Sequence, residues 1–124
     1  MPYKIEWNNT YALLSVSGNV TYEELREVGK DCYGDIRLDD IEYYIVDFRE
    51  AELSQITTNQ INMLAAVDSI TVLYKPDFKM AFVIGNQQQR VLCESYIKSS
   101  KSFKSTWPFA IFNNFEDARN WGSL

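Results

Sequence analysis

The sequence contains no histidine among its 124 residues. Histidine is the ordinary general base near pH 7, the partner that activates serine and cysteine nucleophiles, and the commonest metal ligand in proteins. Its absence removes most familiar hydrolytic and metal-dependent chemistries. We therefore expect a protein that is not an enzyme and that holds no cofactor and no metal. A mechanism based on carboxylates or lysine stays open, although no specific spacing places two such groups together.

Basic residues are also in the minority. The chain has 12 lysines and arginines against 17 aspartates and glutamates, which gives a net charge of −5. A nucleic-acid-binding protein needs a basic surface to replace the counterions of the phosphates. The densest basic stretch, residues 98–104, has three lysines among serines and is typical of the solvated end of a helix. We expect no nucleic-acid partner.

Long apolar runs and cysteine pairs are missing as well. No run approaches the roughly 20 apolar residues that cross a bilayer, and the first residues, MPYKIEW, lack the pattern of a signal peptide. Cys32 and Cys93 lie far apart, each within an apolar helical pattern, and form no CxxC pair. We therefore expect no membrane insertion, two reduced and packed cysteines, and a cytoplasmic location.

No linker, repeat or low-complexity segment interrupts the chain, so we predict a single domain over residues 1–124. Residues 3–7 and 11–18 have strand character. Asn8 and Asn9 between them tolerate positive φ, which suits the turn of an antiparallel hairpin. The sheet is therefore expected to begin with a hairpin.

The segment TYEELREVGKDCY predicts the first helix. Thr21 and Glu24 have the spacing of a capping box. Gly34 is expected to stop the helix in a left-handed cap, and Gly29 is expected to allow close approach of the helix to the sheet.

Strand and helix patterns alternate after this helix. Strands are predicted at 42–48, 78–85 and 107–113, with a helix over 86–102 and a short last helix opened by Asn113 with Glu116. Thr57 or Thr58 caps a helix that runs to about Tyr74, and its wide buried face is predicted to comprise Ile61, Met63, Leu64, Ala65, Val67 and Ile70. The order ββαβαβαβα predicts an α/β domain with a mixed, mostly parallel five-stranded sheet and about four helices.

The strand YYIVDF, the loop after it and the threonine-capped helix resemble STAS domains, named for sulfate transporters and anti-sigma-factor antagonists. The segments GDIRLDDIEYYIVDF and FNNFEDARNW are more similar to small stand-alone bacterial STAS-like proteins. The resemblance spans nearly the whole chain in element order. It implies a four- to five-stranded fold and a regulatory or ligand-sensing role without catalysis.

In sporulation-type antagonists of that family, a partner kinase phosphorylates a serine at the start of the second helix, and this controls docking to the kinase. The serine lies in an Asp-Ser-x-Gly-Leu-Gly-like motif. The corresponding segment here is SQITTNQINML, which lacks the glycines and the Asp-Ser pair. Thr57 and Thr58 take the position of the serine, either as a plain helix cap or as a phosphorylation site.

Other polar residues follow the predicted parallel strands. Asp47 ends one strand, at the edge where α/β folds place their ligands, or it anchors the loop by accepting backbone N–H groups. Arg49 beside it is suited to hold an anion. Asn86 lies in a strand-to-helix turn that can host a polar ligand. Asp47, Arg49, Thr57, Thr58 and Asn86 are therefore the candidate ligand-binding or phosphorylation residues.

Two functions remain open at this point. The leading hypothesis, based on the element order, the acidic charge and the lack of histidine, is a STAS-like regulatory module that binds a protein partner and self-associates as a homodimer. Aromatic residues make up 15% of the chain and exceed what a small core readily buries, so some are expected at a dimer face or in a pocket. The alternative is a protein that binds a small apolar or nucleotide-like ligand in a concave pocket beside Thr57.

Overall fold

The computed structural model describes residues 2–124 and has the predicted element order ββαβαβαβα. A short 3-10 helix at Ile36–Asp40, which the sequence patterns did not predict, precedes the third strand. The strands and α-helices are β1 (Tyr3–Trp7), β2 (Tyr11–Asn19), α1 (Tyr22–Tyr33), β3 (Tyr43–Glu52), α2 (Thr58–Tyr74), β4 (Lys79–Val83), α3 (Gln87–Ser102), β5 (Phe109–Phe112) and α4 (Phe115–Gly122).

The five strands form one sheet in the order β1-β2-β3-β4-β5. β1 is antiparallel to β2, and every other neighbouring pair is parallel, which confirms the predicted mixed sheet. The Asn8 N–H donates to the Tyr11 carbonyl at 2.8 Å and closes the hairpin. Neither Asn8 nor Asn9 adopts the positive φ that was predicted for this turn.

Helices cover both faces of the sheet. Because successive side chains of a strand point to opposite faces, Leu14, Val46 and Phe82 contact α1, α2 and α3, whereas Ile45 and Val83 belong to the core beneath α4. The larger core is the one under the three helices. The molecule thus has three layers, with the sheet in the middle.

The start of α1 confirms the predicted capping box. The Thr21 hydroxyl accepts the Glu24 backbone N–H at 3.2 Å, and the Glu24 carboxylate accepts the Thr21 N–H at 3.0 Å. The predicted left-handed cap at Gly34 is wrong, because its φ is −87°. A Cβ at Gly34 would lie 2.7 Å from the Lys30 carbonyl oxygen, so the position requires glycine for space.

Gly29 does not serve the predicted approach of α1 to the sheet. A Cβ added there would meet a carboxylate oxygen of Asp68, on α2, at 3.8 Å, which is ordinary contact. The residue therefore faces the neighbouring helix and has room for a methyl group.

The last helix begins one residue later than predicted. Asn114 is its N-cap and accepts the Asp117 backbone N–H at 2.9 Å, in place of Asn113 with Glu116. Each asparagine is followed three residues later by an acid, so the capping pattern alone could not rank the two.

The predicted buried face of α2 is only half right. Ile61 and Ala65 are buried, but Met63, Val67 and Ile70, predicted to be buried with them, are exposed. α2 contacts α1 on one flank and α3 on the other, while its inward side covers the sheet. Its outward side is left uncovered. Within residues 2–124, no helix is long and apolar enough to cross a bilayer.

Candidate functional site at the carboxyl edge of the parallel strands

Asp47 and Arg49 form an ion pair within β3. The prediction that Asp47 ends the strand is wrong, because β3 continues to Glu52 along β2, and Asp47 ends only the pairing with β4. The carboxylate accepts the Arg49 backbone N–H at 3.0 Å, and its two oxygens accept Nε at 3.1 Å and Nη2 at 2.9 Å. These hydrogen bonds raise the pKa of Arg49 above its usual value, so the guanidinium stays charged. Asp47 thus anchors the chain through a backbone N–H, and it also holds the arginine side chain.

A β-bulge produces this geometry. Ser15 pairs with Asp47 and Ser17 with Glu50, so one residue of β2 faces two residues of β3. A bulge bends its strand and redirects the side chains beside it. Here the bulge directs the Arg49 side chain toward the carboxylate of Asp47, which lies two residues earlier in the chain.

Gln89, which the sequence patterns did not single out, fixes the bulge to the start of α3. Its side chain is buried, and its amide group donates to the carbonyls of Phe48 at 2.7 Å and Ala51 at 2.9 Å. Its amide oxygen accepts the Gly85 N–H at 2.7 Å. A sequence signal existed, because Gln89 lies three residues before the buried Leu92 and shares its inward side of the helix.

Asn86 lies at the same edge. It is the N-cap of α3, and its side chain accepts the Gln89 backbone N–H at 2.9 Å. A Cβ built on Gly85 would lie 3.7 Å from the Cα and Cγ of Arg49, so the arginine passes directly beside this turn. The structure therefore brings Asp47, Arg49 and Asn86 together, and we call these three residues the strand-edge surface.

The two threonines form a separate group at the start of α2. Thr57 is the N-cap: its hydroxyl accepts the Gln60 N–H at 3.1 Å, and the Gln60 side chain accepts the Thr57 N–H at 3.0 Å. Thr58 is the exposed first residue of the helix, and its hydroxyl makes no hydrogen bond within residues 2–124. In the same residues, no hydrogen bond or ion pair joins either threonine to the strand-edge surface.

A small cavity lies between the sheet and helices α1–α3, with about 60 Å³ open to water-sized molecules. Its walls are mainly apolar, and none of the five candidate residues lines it. Asp68 is its one carboxylate and accepts the Tyr96 hydroxyl at 2.7 Å. Burial raises the pKa of Asp68 to about 6. Across residues 2–124, no three acidic or cysteine side chains converge as metal ligands would.

Neither a protein-family model nor a curated protein matches the sequence. Among solved structures, the chain is similar to an anti-sigma factor antagonist from Mycobacterium paratuberculosis, with 17% identity, a TM-score of 0.58, and coverage of 99% of this chain and 94% of that one. A protein of the DUF3478 family with a SpoIIAA-like fold, from Shewanella loihica, has 18% identity, a TM-score of 0.49, and coverage of 97% and 91%. The likeness to the antagonist confirms the predicted STAS-like fold.

Proposed function

We propose that this chain is a non-enzymatic, cytoplasmic regulatory module that binds a protein partner through the strand-edge surface. The observation that carries the proposal is the rigid presentation of exposed polar groups: Arg49 is held by Asp47, and Gln89 fixes the backbone beneath it. Binding residues are commonly held in position by a rigid scaffold, which the bulged strand β3 and the start of α3 provide here. Cys32 and Cys93 are buried free thiols, which fits a reducing compartment.

Phosphorylation of Thr58 is the proposed switch for this binding. The Thr57 hydroxyl is occupied as a cap, whereas the Thr58 hydroxyl is exposed and makes no hydrogen bond in residues 2–124. A phosphoryl group at the first turn of a helix meets free backbone N–H groups and the positive end of the helix dipole. Its added negative charge would also change the electrostatics of a partner interface at this end of the molecule.

Cross-linking in the native host, followed by mass spectrometry, tests the partner proposal. We expect cross-linked partner peptides to map to residues 47–58 and 85–90, and Arg49→Glu to abolish them. Arg119→Glu is the matched control, because Arg119 is a similarly exposed ion-paired arginine on α4, at the other face of the sheet. Cross-links that survive Arg49→Glu, or that disappear equally in both variants, contradict the proposal.

Intact-mass measurement of the protein from its native host tests the switch. One phosphoryl group is expected, mapped to Thr58, absent from Thr58→Ala and retained in Thr57→Ser. A phosphoryl group on another residue, or an unmodified protein under every growth condition sampled, contradicts it. The partner experiment is independent of this result, so either proposal can fail alone.

A second candidate function is the binding of a small apolar ligand, and the cavity beneath α1–α3 favours it. Ligand pockets for drug-sized molecules occupy roughly 300–1,000 Å³. The cavity, at about 60 Å³, is far smaller, so it supports only a compact apolar ligand and gives no support to a nucleotide. The hydrogen-bonded pair of Asp68 and Tyr96 supplies a polar contact in its wall.

Fluorine NMR with fluorobenzene tests this second function, with fluorobenzoate as a control of similar size. We expect fluorobenzene to show slowed tumbling in the presence of the protein, because it matches the apolar walls. The charged control is expected to remain free, because burying an unpaired charge is costly. Equal behaviour of the two probes rules out the cavity as the binding site.

A further inference from the structure

α2 is apolar on both its inward and its outward side. Five large apolar side chains are exposed on the outward side: Met63 at 47%, Val67 at 40%, Ile70 at 57%, Leu73 at 81% and Tyr74 at 85%. We call these five residues the α2 outer face. Asp68 is the only charged residue of the helix, and its carboxylate bonds to Tyr96 of α3. A helix that is apolar all round normally has both sides covered.

The spacing of the α2 outer face matches a helix-pairing seam. Four of its residues recur at alternating steps of four and three residues: Met63, Val67, Ile70 and Tyr74. This is the heptad pattern by which one helix packs along another. The geometry predicts a helical partner that lies along α2 for about three turns.

We propose that the α2 outer face is a homodimer interface in which α2 pairs with α2 of a second copy in antiparallel orientation. In the symmetric register, Met63 lies opposite Tyr74 of the partner subunit, and Val67 lies opposite Ile70 of the partner subunit. The face is complementary to itself, as a two-fold interface requires. Antiparallel pairing also sets the two helix dipoles in opposition.

The charge distribution favours a second copy as the occupant. The chain carries a net charge of −5, so two copies repel each other through most of their surfaces. α2 is an exception, because the exposed polar residues beside its outer face are the neutral Asn59 and Asn62. Two copies can therefore meet along α2 without contact between like charges on the helices.

The available area agrees with a dimer of modest affinity. Taking about 150–250 Å² for a fully exposed large side chain, the five residues expose on the order of 500 Å². Two copies then bury about 1,000 Å² from α2 alone, which is near the lower limit of specific interfaces. The inference uses a different surface from the proposed function and does not rest on it.

Sedimentation equilibrium of the wild type and two matched variants tests the dimer. We expect wild-type dimers, monomers for Ile70→Lys, and retained dimers for Ile36→Lys. Ile36 is the control because it is also exposed, but it lies in the 3-10 helix beside β1, where Arg37 stacks over Trp7. Circular dichroism checks that both variants fold. A wild type that stays monomeric at the concentrations used for NMR overturns the proposal, as does a dimeric Ile70→Lys.

Disulfide trapping tests the orientation. Mild oxidation of the double variant Val67→Cys with Ile70→Cys is expected to give a covalent dimer, because the antiparallel register sets these positions opposite each other. Val67→Cys alone is expected to stay non-covalent, whereas parallel pairing would cross-link it. The natural cysteines are buried and do not interfere. A covalent dimer of the single variant overturns the antiparallel arrangement.

Discussion

The Asp68 carboxylate accepts the Tyr96 hydroxyl at the wall of the cavity, and burial raises its pKa from 3.8 to about 6. The hydrogen bond from Tyr96 and the charge of Arg26 partly oppose that rise. The folded protein therefore holds this proton more tightly than the unfolded chain does. The favourable contribution to folding is complete below about pH 4 and is lost as the pH rises through about 6.

Asp68→Asn should remove this pH dependence. Above about pH 6 the variant is expected to be more stable than the wild type by about 2 kcal/mol. This figure is lower than the raised pKa alone would give, because the Asp68 side chain is partly exposed to solvent. Below about pH 4 the two proteins should be equally stable, because Asp68 is then protonated. Urea unfolding across this range measures the difference. A constant difference at every pH would show that Asp68 is not the titrating group.

Two glycines in helices should respond to alanine in opposite directions. Gly29→Ala is expected to stabilise the protein by about 0.5–1 kcal/mol, since the added methyl has room and the unfolded chain loses freedom. A Cβ at Gly122 would lie 2.3 Å from the Tyr43 ring, so Gly122→Ala is expected to cost about 1–3 kcal/mol through overpacking. Thermal unfolding of the two variants measures both changes in stability. A change in the same direction for Gly29→Ala and Gly122→Ala would contradict the geometry.

The two threonines at the start of α2 have separable roles in the helix. Thr57→Ala is expected to destabilise the protein by about 1 kcal/mol, because the Gln60 N–H loses its acceptor. Thr58→Ala should change stability by less than about 0.5 kcal/mol, as at other exposed positions. Urea unfolding compares the two variants. An equal loss of stability in the two variants would show that both threonines, and not Thr57 alone, cap the helix.

The attachment of β3 to α3 depends on Gln89. Replacing it with leucine leaves the Phe48 and Ala51 carbonyls and the Gly85 N–H without their partner. We expect a loss of about 3 kcal/mol, from a typical 1–3 kcal/mol for each buried group left unsatisfied. Hydrogen exchange at Gly85 should accelerate, whereas the exposed neighbour Gln88→Leu should change neither quantity. Unchanged exchange at Gly85 would mean that another group protects it.

The sequence predicted the elements well where one residue decides the local structure. The capping residues Thr21 and Thr57 set the starts of two helices because a side-chain oxygen bonds a backbone N–H three residues later. It failed at α2, where Ile70 is as apolar as Ile61 but faces outward. Periodicity cannot tell a face that covers the sheet from one that covers nothing when both are apolar. Only the placement of α2 between α1 and α3 separates them.

The parallel part of the sheet could also be predicted from the sequence. A helix between two neighbouring strands of one sheet is typical of a parallel crossover. The candidate site was harder to predict. Asp47 and Arg49 were expected at one edge, but their ion pair depends on a bulge that leaves no mark in the composition of β3. Gln89 was missed because its neighbours Gln87 and Gln88 look identical in sequence and face solvent.

Every strand of the sheet lies beside its neighbour in the chain, from β1 through β5. No strand has to wait for a distant segment, because the edge that it joins was completed by the strand before it. After the hairpin, each connection between paired strands is a single helical crossover that spans no other strand, which limits the entropy of closure and favours rapid folding. During synthesis, the hairpin can form first and the sheet can then grow by one strand at a time in the order of translation. A ribosome that stalls within α3 leaves β4 as an open parallel edge, ready to pair with another nascent chain.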